Sequence, residues 1–172
     1  MLGTLWTLFF GICCFKLKLQ DVPAATELLL LFLLAYAISS FFFAITLQTV
    51  NFALLSALVN TMVLSGFTYV IVYLWRFPRR WHQVTTALAG TGLIFNLMAI
   101  PPYVVLTSLP QGHSLLALLS LLVIILMVWN IAVMTHILKH ALNASVAVGI
   151  LVSLLYVLLN TYMISRIQPV VI

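Results

Sequence analysis

The chain has 172 residues, of which 65% are hydrophobic and only 5% charged, where a soluble domain would carry roughly a quarter charged residues. A water-exposed fold of this size has no place for so much apolar surface, so lipid must act as part of its solvent. The net charge of +5 does not make a nucleic-acid surface, because the basic residues fall at the ends of apolar tracts and not along one polar face. They read as topology signals beside anionic lipid.

Residues 1–15 are apolar but short, about 22 Å as a helix. Lys16 and Lys18 follow the apolar run where a signal peptide would carry its charge first, and no A-x-A site appears. Leu2, Leu5, Trp6, Phe9 and Cys13 recur at helical spacing, with Thr4, Thr7 and Gly11 on the other side. Residues 1–20 are therefore expected to form an amphipathic helix lying in the interface, followed by a polar link. Cys13 and Cys14 are adjacent, which disfavours a disulfide between them; buried or lipid-facing thiols are expected, with S-acylation the alternative.

Residues 21–172 read as one transmembrane domain with five spans, at about 27–47, 52–75, 84–107, 114–138 and 144–165. The expected fold class is an all-α polytopic helical bundle. Pro23 can open the first span, with Glu27 in its first turn. Gln48-Thr49-Val50-Asn51 is a tight turn. In the second span Ala53, Ala57, Thr61 and Ser65 recur every fourth residue, a small-residue stripe that lets a neighbouring backbone approach closely.

Between the second and third spans lies Trp75-Arg76-Phe77-Pro78-Arg79-Arg80-Trp81-His82-Gln83, which holds three of the seven basic residues. Residues 28–75 and 81–138 contain no Asp, Glu, Lys or Arg, so this charged knot must be a loop in water. Pro101-Pro102 removes two backbone donors near the far end of the third span, so a kink or stop is expected, with termination preferred to a functional hinge. Leu109-Pro110-Gln111-Gly112-His113 is a turn. Ala141, Ser145, Gly149 and Ser153 form a second stripe of small residues.

With five spans, Lys16, Lys18, Arg76, Arg79, Arg80 and Lys139 fall on one side and Arg166 alone on the other. That bias places the N-terminus and the basic loop in the cytoplasm and the C-terminus outside.

Candidate chemistry is sparse. Asp21 and Glu27 are the only carboxylates, and both lie near the start of the first span, so no carboxylate is available at membrane depth for ion coupling. No Ser or Cys stands with both a base and an orienting acid, so no hydrolase triad is available and no enzyme activity is expected. His136 and His140 share one helix face and His82 lies at similar depth; the three could hold a metal or a haem, against the simpler reading as interfacial anchors, and no cofactor is expected. Asn60, Asn96, Asn130 and Asn160 each sit in a different span and are read as packing glue rather than as a hydrophilic pathway. Trp75 and Trp81 belong to an aromatic belt, and with Arg76, Arg79 and Arg80 they are the candidate contacts for lipid headgroups or a partner.

Gln20-Asp21-Val22-Pro23, Thr86-Ala87-Leu88-Ala89-Gly90-Thr91-Gly92 and His136-Ile137-Leu138-Lys139-His140-Ala141-Leu142, set in five closely spaced apolar segments, resemble the small bacterial Yip1-domain membrane proteins. The resemblance implies a five-span helical domain and supplies no catalytic residue. The function expected is a non-catalytic membrane scaffold or accessory subunit. Its partners would be lipid and other membrane subunits or a second copy, met through the two small-residue faces, with no nucleic acid. A small transporter or pore is the first alternative, and a metal- or haem-binding subunit using His82, His136 and His140 the second.

Overall fold

A computed structural model describes residues 9–16, 25–110 and 114–167. Five of its helices are long and apolar enough to cross a membrane, so the chain is an all-helical membrane protein. We label them α1 (Thr26–Ile45), α2 (Val50–Leu74), α3 (Trp81–Ser108), α4 (Leu115–Leu142) and α5 (Val146–Ser165).

The helix ends follow from local chemistry. Asn143 adopts a left-handed conformation, φ 52°, and closes α4, with the Ala144 amide donating back to the Lys139 carbonyl at 3.1 Å. Asn tolerates that conformation better than most residues because its short side chain bonds locally. Arg76, φ 62°, ends α2 the same way, and the Phe77 amide returns to the Val72 carbonyl at 2.9 Å. Ser145 opens α5 by accepting a hydrogen bond from the Val148 amide at 3.4 Å. In the α1–α2 turn, the Ser56 hydroxyl donates to Gln48 Oε1 at 3.1 Å and pins the turn to α2.

Two expectations change. Pro101 and Pro102 lie inside α3, which continues to Ser108, so neither proline terminates it. A stop at this depth would strip partners from up to four donors and four acceptors, whereas two prolines remove only two donors. The N-terminal segment is described from residue 9 onward, with residues 9–13 helical. Phe9, Ile12 and Cys13, at 2%, 0% and 1% exposure, are buried in the protein core. The Phe9 ring meets that of Phe32 at 4.3 Å, and the Trp129 indole N–H donates to the Cys13 carbonyl at 2.9 Å. From residue 9 on, the apolar side of this segment thus faces helices of the chain and not lipid. The first half of the expected interfacial helix lies outside the described residues.

The bundle has two unlike halves. At the basic-loop end the core is dense and apolar, built on Val72, Val84, Ala87, Val133, Ile137 and Leu138 around the N-terminal wedge. Toward the opposite end, the packing opens. No residue from 115 to 132 in α4 is buried, and Leu118, Ile124 and Val128 are more than half exposed.

Candidate functional site

All four span asparagines border one cavity. It is about 420 Å³, partly open, and lined from all five helices. Asn60, Asn96, Asn130 and Asn160 each lie within about five residues of the middle of their helices, which is mid-membrane depth for a spanning bundle. The lining continues through Phe43, Gln48, Tyr103 and Thr161 toward the end remote from the basic loop. Toward the basic loop, Leu64, Leu88 and Met134 form its floor on top of the apolar core.

Hydrogen bonds hold the walls. Ser40 on α1 accepts from Asn60 Nδ2 at 3.2 Å and from Asn96 Nδ2 at 3.0 Å, and Asn96 Nδ2 also donates to Ser39 Oγ at 3.1 Å. One serine therefore ties α1 to both α2 and α3. Both lone pairs of the Ser40 hydroxyl are taken, so its own proton is free only to be donated. The buried Tyr36 hydroxyl stands beside it and meets Tyr156 of α5 across the bundle.

Among the described residues three buried side-chain atoms lack a protein partner: Thr85 Oγ1 in the core, and two amide oxygens of cavity-lining residues. Asn60 Oδ1 and Asn160 Oδ1 are buried and accept nothing from any described protein group. α2 and α5 run antiparallel, with Phe67 and Tyr156 in ring contact at 5.4 Å. From that contact Asn60 is seven residues back along α2 and Asn160 four residues onward along α5, so the two carbonyls sit within about one helical turn of each other in height. The charges of the cavity are as plain: none of its lining residues is Asp, Glu, Lys, Arg or His.

The residues singled out from the sequence lie elsewhere. In the first stripe Ala53 and Ala57 are buried and Thr61 and Ser65 half-buried. In the second, Ala141, Gly149 and Ser153 are buried, while Ser145 is the exposed cap of α5. A methyl group on Gly149 would meet the Thr135 carbonyl at 3.0 Å, and the Thr135 hydroxyl donates to Ser153 at 3.2 Å. The second stripe thus packs α5 against α4 within the chain.

The basic loop divides in two. Arg80 donates to the carbonyls of Ala141 at 2.9 Å and His140 at 3.4 Å, at the end of α4, with its guanidinium 4.7 Å from the Phe77 ring centre. Trp81 is half-buried and donates to the Ser65 carbonyl at 3.3 Å. Both are structural. Trp75, Arg76 and Arg79 are exposed and remain accessible to headgroups or a partner.

His136 and His140 stand ring to ring at 4.6 Å, with Phe15 edge-on to His136 at 5.3 Å. His82 packs on Trp81 instead, and among the described residues no three His, Cys, Asp or Glu side chains are placed to share a metal ion. That arrangement supplies no third ligand.

The four span asparagines are visible in the sequence but their common cavity is not, because four residues on four helices carry no periodicity that joins them. No family model matches this chain, and neither does any curated protein or solved structure.

Proposed function

We propose that this protein takes a small solute into the cavity between its five helices and carries it across the membrane. The observation that supports the reading is the convergence of Asn60, Asn96, Asn130 and Asn160 on one cavity at mid-depth. Polar side chains at that depth are costly in hydrocarbon, and solute sites in carriers lie near the midplane. The cavity is at the small end of the range of roughly 300–1,000 Å³ for small-molecule sites. Its packed floor and open far end match a carrier resting in one of its two facing states. On the charge distribution, the basic-loop end is cytoplasmic and the cavity opens to the outside.

Reconstitution into liposomes tests this. After a hyperosmotic shift, vesicles carrying the protein should reswell faster than empty ones for at least one small solute. An Ala99→Trp variant, which fills the cavity from α3, should remove the difference. Equal rates for every neutral, cationic and anionic solute tried would end the carrier reading.

An accessory-subunit role rests on a different observation, the exposed outer face of α4 at Leu118, Leu121, Leu122 and Ile125. A membrane partner covering that face would protect cysteines placed there from a lipid-phase thiol reagent, whereas lipid alone would not.

A further inference from the structure

We infer that the basic-loop end of α2 binds an anionic phospholipid, its phosphodiester on Arg76 and Tyr73 and an acyl chain along the outer face of the helix. The site lies apart from the cavity between the helices and shares no lining residue with it.

Three observations carry this. First, Tyr73, Leu74, Arg76 and Pro78 line a shallow depression that holds no acidic side chain. Arg80 spends its guanidinium on the end of α4, whereas Arg76 is exposed. Glu27, the one described carboxylate, stands in the first turn of α1 and does not line the depression. A guanidinium fork suits phosphate oxygens, and Tyr73 brings a hydroxyl donor to the same depression. Second, the depression continues onto the lipid-facing side of α2. Met62, Gly66, Tyr69 and Tyr73 follow one another at helical spacing, so they share one face, and all four are exposed. The rings of Tyr69 and Tyr73 stack at 6.1 Å, with Trp81 edge-on to Tyr69 at 5.8 Å. Together they make an aromatic wall of the kind that sits at headgroup level. Third, Gly66 is a low point on that face, where even a methyl group would meet nothing within 4 Å. It lies ten residues from Arg76, about 15 Å along the helix, which is close to half the hydrocarbon layer.

The same features choose among occupants. An acidic soluble protein reaches the loop but not the apolar face below it, whereas a lipid meets both. An ethanolamine or choline head carries its own ammonium, which Arg76 repels and no acid in the depression receives. An anionic head has no such penalty.

Native mass spectrometry of the purified full chain tests the site by titration with phosphatidylglycerol or phosphatidylethanolamine of matched acyl chains. Phosphatidylglycerol should bind about fivefold tighter. Arg76→Asn removes the charge while suiting the left-handed backbone at this position. It should elute and melt like the parent and lose the preference. Arg79→Gln removes the same charge from an exposed neighbour outside the depression and should keep it. Glycerol 3-phosphate, the head without chains, should leave the bound lipid in place at equal concentration. Equal affinity for the two lipids would overturn the inference and leave the loop to a soluble partner. Equal losses in the two variants would also overturn it, reducing the effect to the diffuse charge of the loop. Displacement by glycerol 3-phosphate would overturn it in favour of a soluble anion.

Discussion

The guanidinium of Arg80 caps the carbonyl of Ala141 at 2.9 Å, joining the basic loop to the end of α4 across 61 residues of sequence. The last carbonyls of a helix lack intrahelical donors, and a cation there also meets the negative end of the helix dipole. Arg80→Ala should therefore lower stability by about 1.5–3 kcal/mol, the range for a charge-assisted hydrogen bond. Arg79→Ala, at an exposed position, should change it by less than about 0.5 kcal/mol. Thermal unfolding in a single detergent compares the two; equal effects would refute the capping role.

Two glycines should respond in opposite directions. A methyl group at Gly66 meets nothing within 4 Å, whereas at Gly149 it presses on the Thr135 backbone at 3.0 Å. Gly66→Ala should stabilise by roughly 0.5–1 kcal/mol through helix propensity. Gly149→Ala gains the same term but must push α4 and α5 apart, and overpacking of that kind costs about 1–3 kcal/mol. Unfolding midpoints of the two variants decide the matter.

Ser40 holds two asparagines at once. Ser40→Ala leaves the amide groups of Asn60 and Asn96 without that acceptor, though Asn96 keeps Ser39. Intramembrane hydrogen bonds average about 0.6 kcal/mol and reach about 1.7, so a loss of roughly 1–2 kcal/mol is expected. Ser39→Ala should cost less, because Ser39 receives only the Asn96 bond and sends its own proton to the Tyr36 carbonyl of its own helix.

The N-terminal wedge is testable through its thiols. Burial pushes the Cys13 thiol from its ordinary 9.0 up to about 12, and the neighbouring Cys14 adds to the rise. The folded state therefore holds the Cys13 proton more tightly than the unfolded one. This contribution to stability is complete below about pH 9 and is lost as pH climbs toward 12. At neutral pH a maleimide should modify the half-buried Cys14 well before Cys13. Gly90→Leu, placed where even a methyl group would meet the Phe9 ring at 2.5 Å, should displace the wedge and bring Cys13 to the reactivity of Cys14. Equal labelling in the parent protein would count against the docked position.

The spans were legible in the sequence because the signal is one of length and composition, and tracts such as 28–75 leave no other solution. Helix ends at Asn143 and Arg76 were less so, since the direction in which the chain must leave the helix selects a left-handed residue. The stripe at Ala141, Gly149 and Ser153 announced close packing but not its partner, because spacing records a face and not the element that covers it. The double proline misled for a physical reason: in hydrocarbon, the alternative to a strained helix is worse than the strain. Arg80 and Trp81 looked like loop residues facing water, and only the tertiary fold shows that their donors reach inward to carbonyls on α4 and α2.

The length of α4 has a consequence for the lipid. Its 28 residues make about 42 Å of helix, against a hydrocarbon layer of roughly 30 Å. α1 and α5, with 20 residues each, match that layer at about 30 Å. A helix so much longer than the layer it crosses has to tilt, as does α3 with its 28 residues, and the tilt grows as the membrane thins. The outer half of α4 is one wall of the cavity and touches the bundle along a narrow seam, Leu116, Leu119, Val123 and Leu126. Bilayer thickness thus acts on the width of the mouth, and short-chain lipids should speed solute passage where long-chain lipids slow it.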